Sequence, residues 1–208
     1  MPPELTLGEI AATPDRATET FRLPDGRRVV VRPYQLGDEG ALEVFFDGLG
    51  EDTRAAYGVT DTGEGIAQDW SQSIGIREDL RLVFEEALGR GAGERAGLHC
   101  GVAEFSLELG DEERERLGRW NEFVDPGAAV RFGICLSDDH QGVGLATAAM
   151  PSLTRLVRRL GRRRILLWGG VLVRNGAAVA FYERSGFRTL GTWVDQRGRT
   201  RVDMVLDV

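Results

Sequence analysis

The stretch Ile134-Cys-Leu-Ser-Asp-Asp-His-Gln-Gly-Val-Gly-Leu-Ala146 decides how this chain is read. Apolar residues up to Leu136 give way to Gln141-Gly-Val-Gly144. Beyond them Leu145, Ala149, Leu153, Leu156 and Leu160 recur at helical spacing. The pattern predicts a strand running through glycines into a helix. Such a turn aims unpaired backbone N–H groups and the positive end of the helix dipole at one point, a place suited to a pyrophosphate. Gly142 and Gly144 carry no Cβ and so permit close approach. Glycines at a strand-to-helix turn also occur for steric reasons alone.

Working outward, a strand is expected over Val130 to Leu136, a helix to about Leu160, a strand from Arg164 to Val173 and a helix from Gly176 to Ser185. This is a βαβα unit. Strands Phe187 to Val194 and Thr200 to Leu206, joined through Gln196-Arg-Gly198, close the chain as a hairpin. Toward the N-terminus, Pro24-Asp-Gly26 supplies a turn between Phe21-Arg-Leu23 and Val29-Val-Val-Arg32, another hairpin. Leu42, Phe45, Phe46 and Leu49 have helical spacing, and a weaker helical pattern runs from Glu64 to about Ile74. Leu80 to Glu86 and Leu98 to Leu109 read as antiparallel strands joined by the glycine-rich turn 89–97. The charged run Asp111-Glu-Glu-Arg-Glu-Arg116 reads as a solvated loop or short helix. Residues 1–18 read as a flexible N-terminal arm or short surface helix, and 19–208 as one domain. The expected fold is α/β: a mixed, mostly antiparallel sheet of about seven strands, helices on both faces, and the central βαβα unit.

Composition narrows the chemistry. The chain has 208 residues, 42% hydrophobic, enough for one sizeable core. No run approaches a membrane span, and Met1-Pro-Pro-Glu4 lacks the marks of a signal peptide, so a cytoplasmic location is expected. Cys100 and Cys135 lie in apolar segments, where a thiol behaves as a small hydrophobe. With His99 and His140 they make no zinc spacing, so no metal is expected. A net charge of −7 disfavours nucleic acid and favours cationic small molecules or basic peptide ends. All basic residues are arginine, so a phosphate loop that relies on lysine is excluded.

A dinucleotide-binding turn would need a third glycine where Thr147 stands, and an acidic residue near the end of the next strand, where Val173-Arg-Asn175 stands. Both are missing. The stretch instead resembles the GNAT acetyltransferase superfamily, whose turn [QR]-x-x-G-x-[GA] is matched by Gln141, Gly142, Val143, Gly144, Leu145 and Ala146. A second family signature, N-x-x-A-x-x-F-Y-x-x-x-G-F, is matched by Asn175, Ala178, Phe181, Tyr182, Gly186 and Phe187.

The resemblance implies acetyl-coenzyme A as cosubstrate and an amine as acceptor, with a homodimer as an allowed assembly. Leu136 and its strand neighbours would bond the pantetheine arm, residues Gln141 to Thr147 would surround the pyrophosphate, and Asn175 and Tyr182 would flank the thioester. Asn175 also reads as a helix N-cap and Gly186 as a helix stop. Tyr182 is the implied general acid. Where many members carry a glutamate base, the corresponding positions hold Val130 and Gly170. Glu104 and Glu108, expected to share the polar face of one strand, are the candidates for that role, a water relay being the other route. A module that binds acyl-coenzyme A without catalysis is the alternative function.

Overall fold

The structure is a computed structural model that describes residues 4–75, 78–87, 98–122 and 124–208. Among the described residues nine strands form one mixed sheet: β1 Glu19–Arg22, β2 Arg28–Pro33, β3 Asp79–Glu86, β4 His99–Ser106, β5 Ala129–Leu136, β6 Arg164–Leu167, β7 Val171–Leu172, β8 Arg188–Val194 and β9 Thr200–Asp207. Hydrogen-bonded neighbours run β1-β2-β3-β4-β5-β6-β9-β7, with β8 on β9. The α-helices among the described residues are α1 Leu7–Ala12, α2 Glu39–Asp47, α3 Glu51–Tyr57, α4 Gly63–Ser73, α5 Asp111–Arg119, α6 Leu145–Arg159 and α7 Gly176–Arg184. The mixed α/β architecture and the β5–α6–β6–α7 order agree with the expectation from sequence.

Differences from that reading have local causes. The segment expected as one strand, Arg164 to Val173, is split in two because Gly169 and Gly170 take φ of 65° and 66°. Those values break a ladder that β9 nonetheless spans, pairing Arg164–Leu166 and then Val171–Leu172. The strand expected to reach Leu109 ends at Ser106, so Glu108 lies beyond it, exposed, and does not share a strand face with Glu104. Within 1–18, Thr6 and Glu9 close a reciprocal capping box on α1, whose Ile10 is buried. The turn 89–97 lies outside the described residues.

Two compact units divide the described chain, one formed from 6–104 with 134–152, the other from 4–5, 105–133 and 153–208. In the first, α2 and α4 place Leu42, Phe45, Phe46, Ala67 and Trp70 against Val83, Val102 and Cys135. The Trp70 ring meets both Tyr34 and Phe46 edge-on, at 5.3 and 6.1 Å between centroids. Each such side chain contributes about 1.5–3 kcal/mol by leaving water. In the second, Leu109, Leu117, Ala129, Leu166 and Val205 form one buried cluster. Parallel pairing of β5 with β6 runs from Ala129↔Arg164 to Phe132↔Leu167, and β5 continues to Leu136.

Candidate active site

The turn from β5 to α6 has the geometry its glycines predict. Gly142 and Gly144 sit at φ of 73° and 88°, a region costly for any residue with a Cβ. At Gly144 a Cβ would also stand 3.2 Å from Pro24 in the β1–β2 turn. The bond from Ala148 N to Gly144 O, 2.9 Å, opens the helical ladder. Leu145, Ala146 and Thr147 precede it, with amides in the first turn, where intrahelical acceptors run out. Leu145 is buried, and Gln141, Gly142 and Thr147 are exposed.

Side chains pin this turn to its surroundings. Gln141 Nε2 donates to Thr53 Oγ1 at 2.9 Å, to Leu136 O at 3.2 Å and to Asp138 Oδ1 at 3.2 Å. Asp138 accepts from Thr53 Oγ1 at 2.5 Å and from Gly50 N at 2.6 Å. The Thr53 hydroxyl and then the Gly50 amide hold its carboxyl below the usual aspartate range. His140 lies between Ser137 Oγ, 2.7 Å from Nδ1, and Glu86 Oε1, 2.9 Å from Nε2. Arg27 also pairs with Glu86.

Glu104 stands at the edge of the apolar cluster that contains Cys135, with its side chain 16% exposed. Tyr57 OH donates to Oε1 at 2.7 Å and Arg81 Nε to Oε2 at 3.3 Å. Burial raises its pKa, while the Tyr57 hydroxyl and Arg81 pull it down and Asp79 adds to the rise. Arg81 itself reaches Ser73 Oγ at 2.5 Å and Asp69 Oδ2 at 3.0 Å, and lies 5.0 Å from the Trp70 ring centroid. The two positions where the resemblance expects a base are closed to one. Val130 is wholly buried, and a Cβ on Gly170 would meet Val202 O at 2.8 Å.

In the other unit, Asn175 caps α7, its Oδ1 accepting from Ala178 N at 3.1 Å. Tyr182, on α7, is 7% exposed and packs between Phe181 and Phe187, at centroid distances of 4.9 and 5.2 Å. Gly186 ends α7 at φ 92°. The structure thus brings Leu136, Gln141 to Thr147 and Glu104 into one unit, and Asn175 and Tyr182 into the other. Sequence reasoning missed Thr53, Tyr57, Arg81 and Asp138. Only Asp138 had a signal, its place three residues before Gln141.

One group of potential metal ligands occurs among the described residues. Asp38, Glu85 and His99 hold ligand atoms within 4.8 Å of one another. Arg32 already bridges both carboxylates, at 2.7 Å to Asp38 and 2.5 Å to Glu85, so a guanidinium holds the cation's place.

The fold is that of the GNAT acetyltransferases. The Acetyltransferase (GNAT) family model matches residues 101–187. Among solved structures, the GNAT domain of S. lividans PAT is similar, with a TM-score of 0.71 at 17% identity, over 94% of this chain and 99% of that one. Aminoglycoside acetyltransferase AAC(6')-Ib in complex with coenzyme A has a TM-score of 0.64 at 20% identity, over 86% of this chain and 94% of that one. Spermidine N-acetyltransferase from Vibrio cholerae, in complex with coenzyme A and spermine, has a TM-score of 0.63 at 19% identity, over 86% and 95%. No curated protein matches in sequence. No helix among the described residues is long and apolar enough to cross a membrane.

Proposed function

We propose that this chain is an acetyl-coenzyme-A-dependent N-acetyltransferase that acetylates a primary amine of a small molecule or peptide by direct attack, in the cytoplasm, with residues 19–208 as its catalytic domain. The observation that carries this reading is the turn Gln141 to Thr147, with two glycines at positive φ opening α6 in a GNAT fold. Amides of that turn would hold the pyrophosphate of acetyl-coenzyme A, and main-chain groups near Leu136 its pantetheine arm. Coenzyme A is present in both acetyltransferase complexes named above, which supports this assignment. Asn175 would flank the thioester.

The amine lone pair attacks the thioester carbonyl carbon, the C–S bond breaks, and the thiolate needs a proton. Tyr182 would supply it. An ammonium acceptor must first lose a proton, and Glu104 would take it. Burial raises the affinity of this carboxylate for a proton, as a base working near neutrality requires. The acidic balance of the chain supports a cationic acceptor, such as the polyamine class.

The test is a thermal-shift comparison of acetyl-coenzyme A with NAD, then initial rates of acetyl transfer to a panel of amines that includes spermine and amino acids. Stabilisation by acetyl-coenzyme A with turnover of a cationic amine is expected. Stabilisation without turnover of any amine above the uncatalysed rate would instead favour an acyl-coenzyme-A-binding regulatory module. Stabilisation by NAD alone would overturn both.

A further inference from the structure

Helix α3 is unusual in what holds it. None of its seven residues is fully buried, although Tyr57 packs half-buried against the apolar cluster beside Phe46, and its N-cap, Gly50, offers no capping side chain. Polar bonds anchor it at both ends. At its start Gly50 N and Thr53 Oγ1 donate to Asp138, and Thr53 also accepts from Gln141. One turn later Tyr57 donates to Glu104. Thr53 and Tyr57 are four residues apart and so project from the same helix face. Arg54 fixes the helix from the side, bonding Phe46 O at 2.6 Å and Asp61 O at 2.7 Å. All of these residues belong to one compact unit.

From this geometry we propose that Tyr57 is a positioning residue for Glu104, and that α3 links the Gln141–Thr147 turn to that carboxylate through Thr53 and Tyr57. The inference rests on the reading of Glu104 as base and of the turn as the acetyl-coenzyme A site. Glu104 accepts one bond at each oxygen, from Tyr57 and Arg81, which fixes the carboxylate plane and leaves lone pairs for an incoming ammonium. Ligand phosphates on the amides of the turn would hold Gln141 in place, and through its bonds Asp138 and Thr53. An α3 fixed at its start holds the Tyr57 hydroxyl on Glu104 at its end. A well-placed base would then be present chiefly when the acetyl donor is bound.

Other groups facing Glu104 are Arg81 and Asp79 from β3 and Cys135 from β5, with Asp69 and Ser73 of α4 reaching it through Arg81. Loss of the Tyr57 bond leaves burial and Asp79 less opposed, so the carboxylate holds its proton to higher pH.

The experiment is a carbon-13 NMR titration of the Glu104 carboxyl in the full chain, labelled at glutamate, assigned with Glu104→Gln, and run with and without acetyl-coenzyme A. Tyr57→Phe is expected to move the midpoint to higher pH and to cut kcat/KM for spermine several-fold at neutral pH, with less loss in alkali. Thr53→Val should move the midpoint the same way by a smaller amount, and the double variant no further than Tyr57→Phe alone. An unmoved midpoint in Tyr57→Phe with unchanged circular dichroism would overturn the positioning role. Additive shifts would overturn the link through α3. If Tyr57→Phe fails to fold, Thr53→Val carries the test, and an unmoved midpoint there overturns the link. Failure of the underlying reading looks different: Glu104→Gln would acetylate spermine at the wild-type rate whatever the titrations give.

Discussion

Tyr182 and Glu104 carry opposite halves of the proposed proton traffic, and their surroundings suit the difference. Tyr182 meets the Phe181 ring tilted and the Phe187 ring edge-on, so Tyr182→Phe preserves packing while deleting the proton. General acid catalysis contributes ~100- to 10,000-fold, and a thiolate is already a tolerable leaving group, so a loss of about 100-fold in kcat is expected. Affinity for acetyl-coenzyme A, measured by calorimetry, should be nearly unchanged, because the interaction is made chiefly in the transition state. Equal turnover by the variant across the pH range would return Tyr182 to a packing role. Glu104 must be ionised to act, so kcat/KM should rise with pH through its elevated pKa, and Glu104→Gln should remove that rising limb. A limb that persists in the glutamine variant would assign it to another group, a water relay included. Neither Tyr57 nor Arg81 could be paired with Glu104 from sequence, since 47 and 23 residues separate them from it. Nothing local encodes such contacts.

Among elements, legibility follows apolar burial. Helix α6 was readable because Leu145, Ala149, Leu153, Leu156 and Leu160 are all buried, which is what helical periodicity records. Helix α3 was invisible because it has no fully buried residue and one half-buried aromatic, Tyr57, so its sequence, Glu51-Asp-Thr-Arg-Ala-Ala-Tyr57, has no apolar stripe to find. The break at Gly169 and Gly170 was hidden in an otherwise apolar run from Ile165 to Val173. The signature turn was legible for a different reason, since its glycines answer to positive φ and its glutamine bonds Thr53, Leu136 and Asp138, neither of which depends on apolar packing. A mutational probe of that turn must respect its dihedrals. Any substitution at Gly144 strains φ and crowds Pro24, so lost binding there would not separate site from fold. Thr147 is exposed in the first turn of α6, where a negative charge is favourable to the helix and unfavourable to a bound pyrophosphate. Thr147→Glu should therefore weaken acetyl-coenzyme A at least tenfold by calorimetry without lowering the melting temperature. Wild-type affinity in that variant would place the pyrophosphate elsewhere.

Across the whole molecule, binding and protonation can be read in stability. A ligand at 100 times its Kd stabilises the folded state by about 2.7 kcal/mol, which for a chain of this size raises Tm by roughly 5–10 °C. Acetyl-coenzyme A should do this in a thermal melt and NAD should not. Acid should act through His99, whose side chain has no exposure and whose two ring nitrogens have no hydrogen-bond partner. Burial lowers its pKa, with Asp38 and Glu85 pulling it partly back. The unfolded chain therefore takes up this proton more readily than the folded one, and stability is lost as pH falls below about 6.5. Melting temperature should decline from pH 7 to pH 5, and His99→Leu should flatten the decline. An equally steep fall in that variant would assign the effect to other groups. The two cysteines bear on measurement rather than on mechanism. Cys100 and Cys135 are both buried, and burial pushes the Cys100 thiol up to about 12 and Cys135 higher still. Only thiolates attack disulfide dyes such as dithionitrobenzoate at a useful rate. The folded protein should therefore contribute almost no colour of its own, and every equivalent of yellow product in such an assay would report one released coenzyme A.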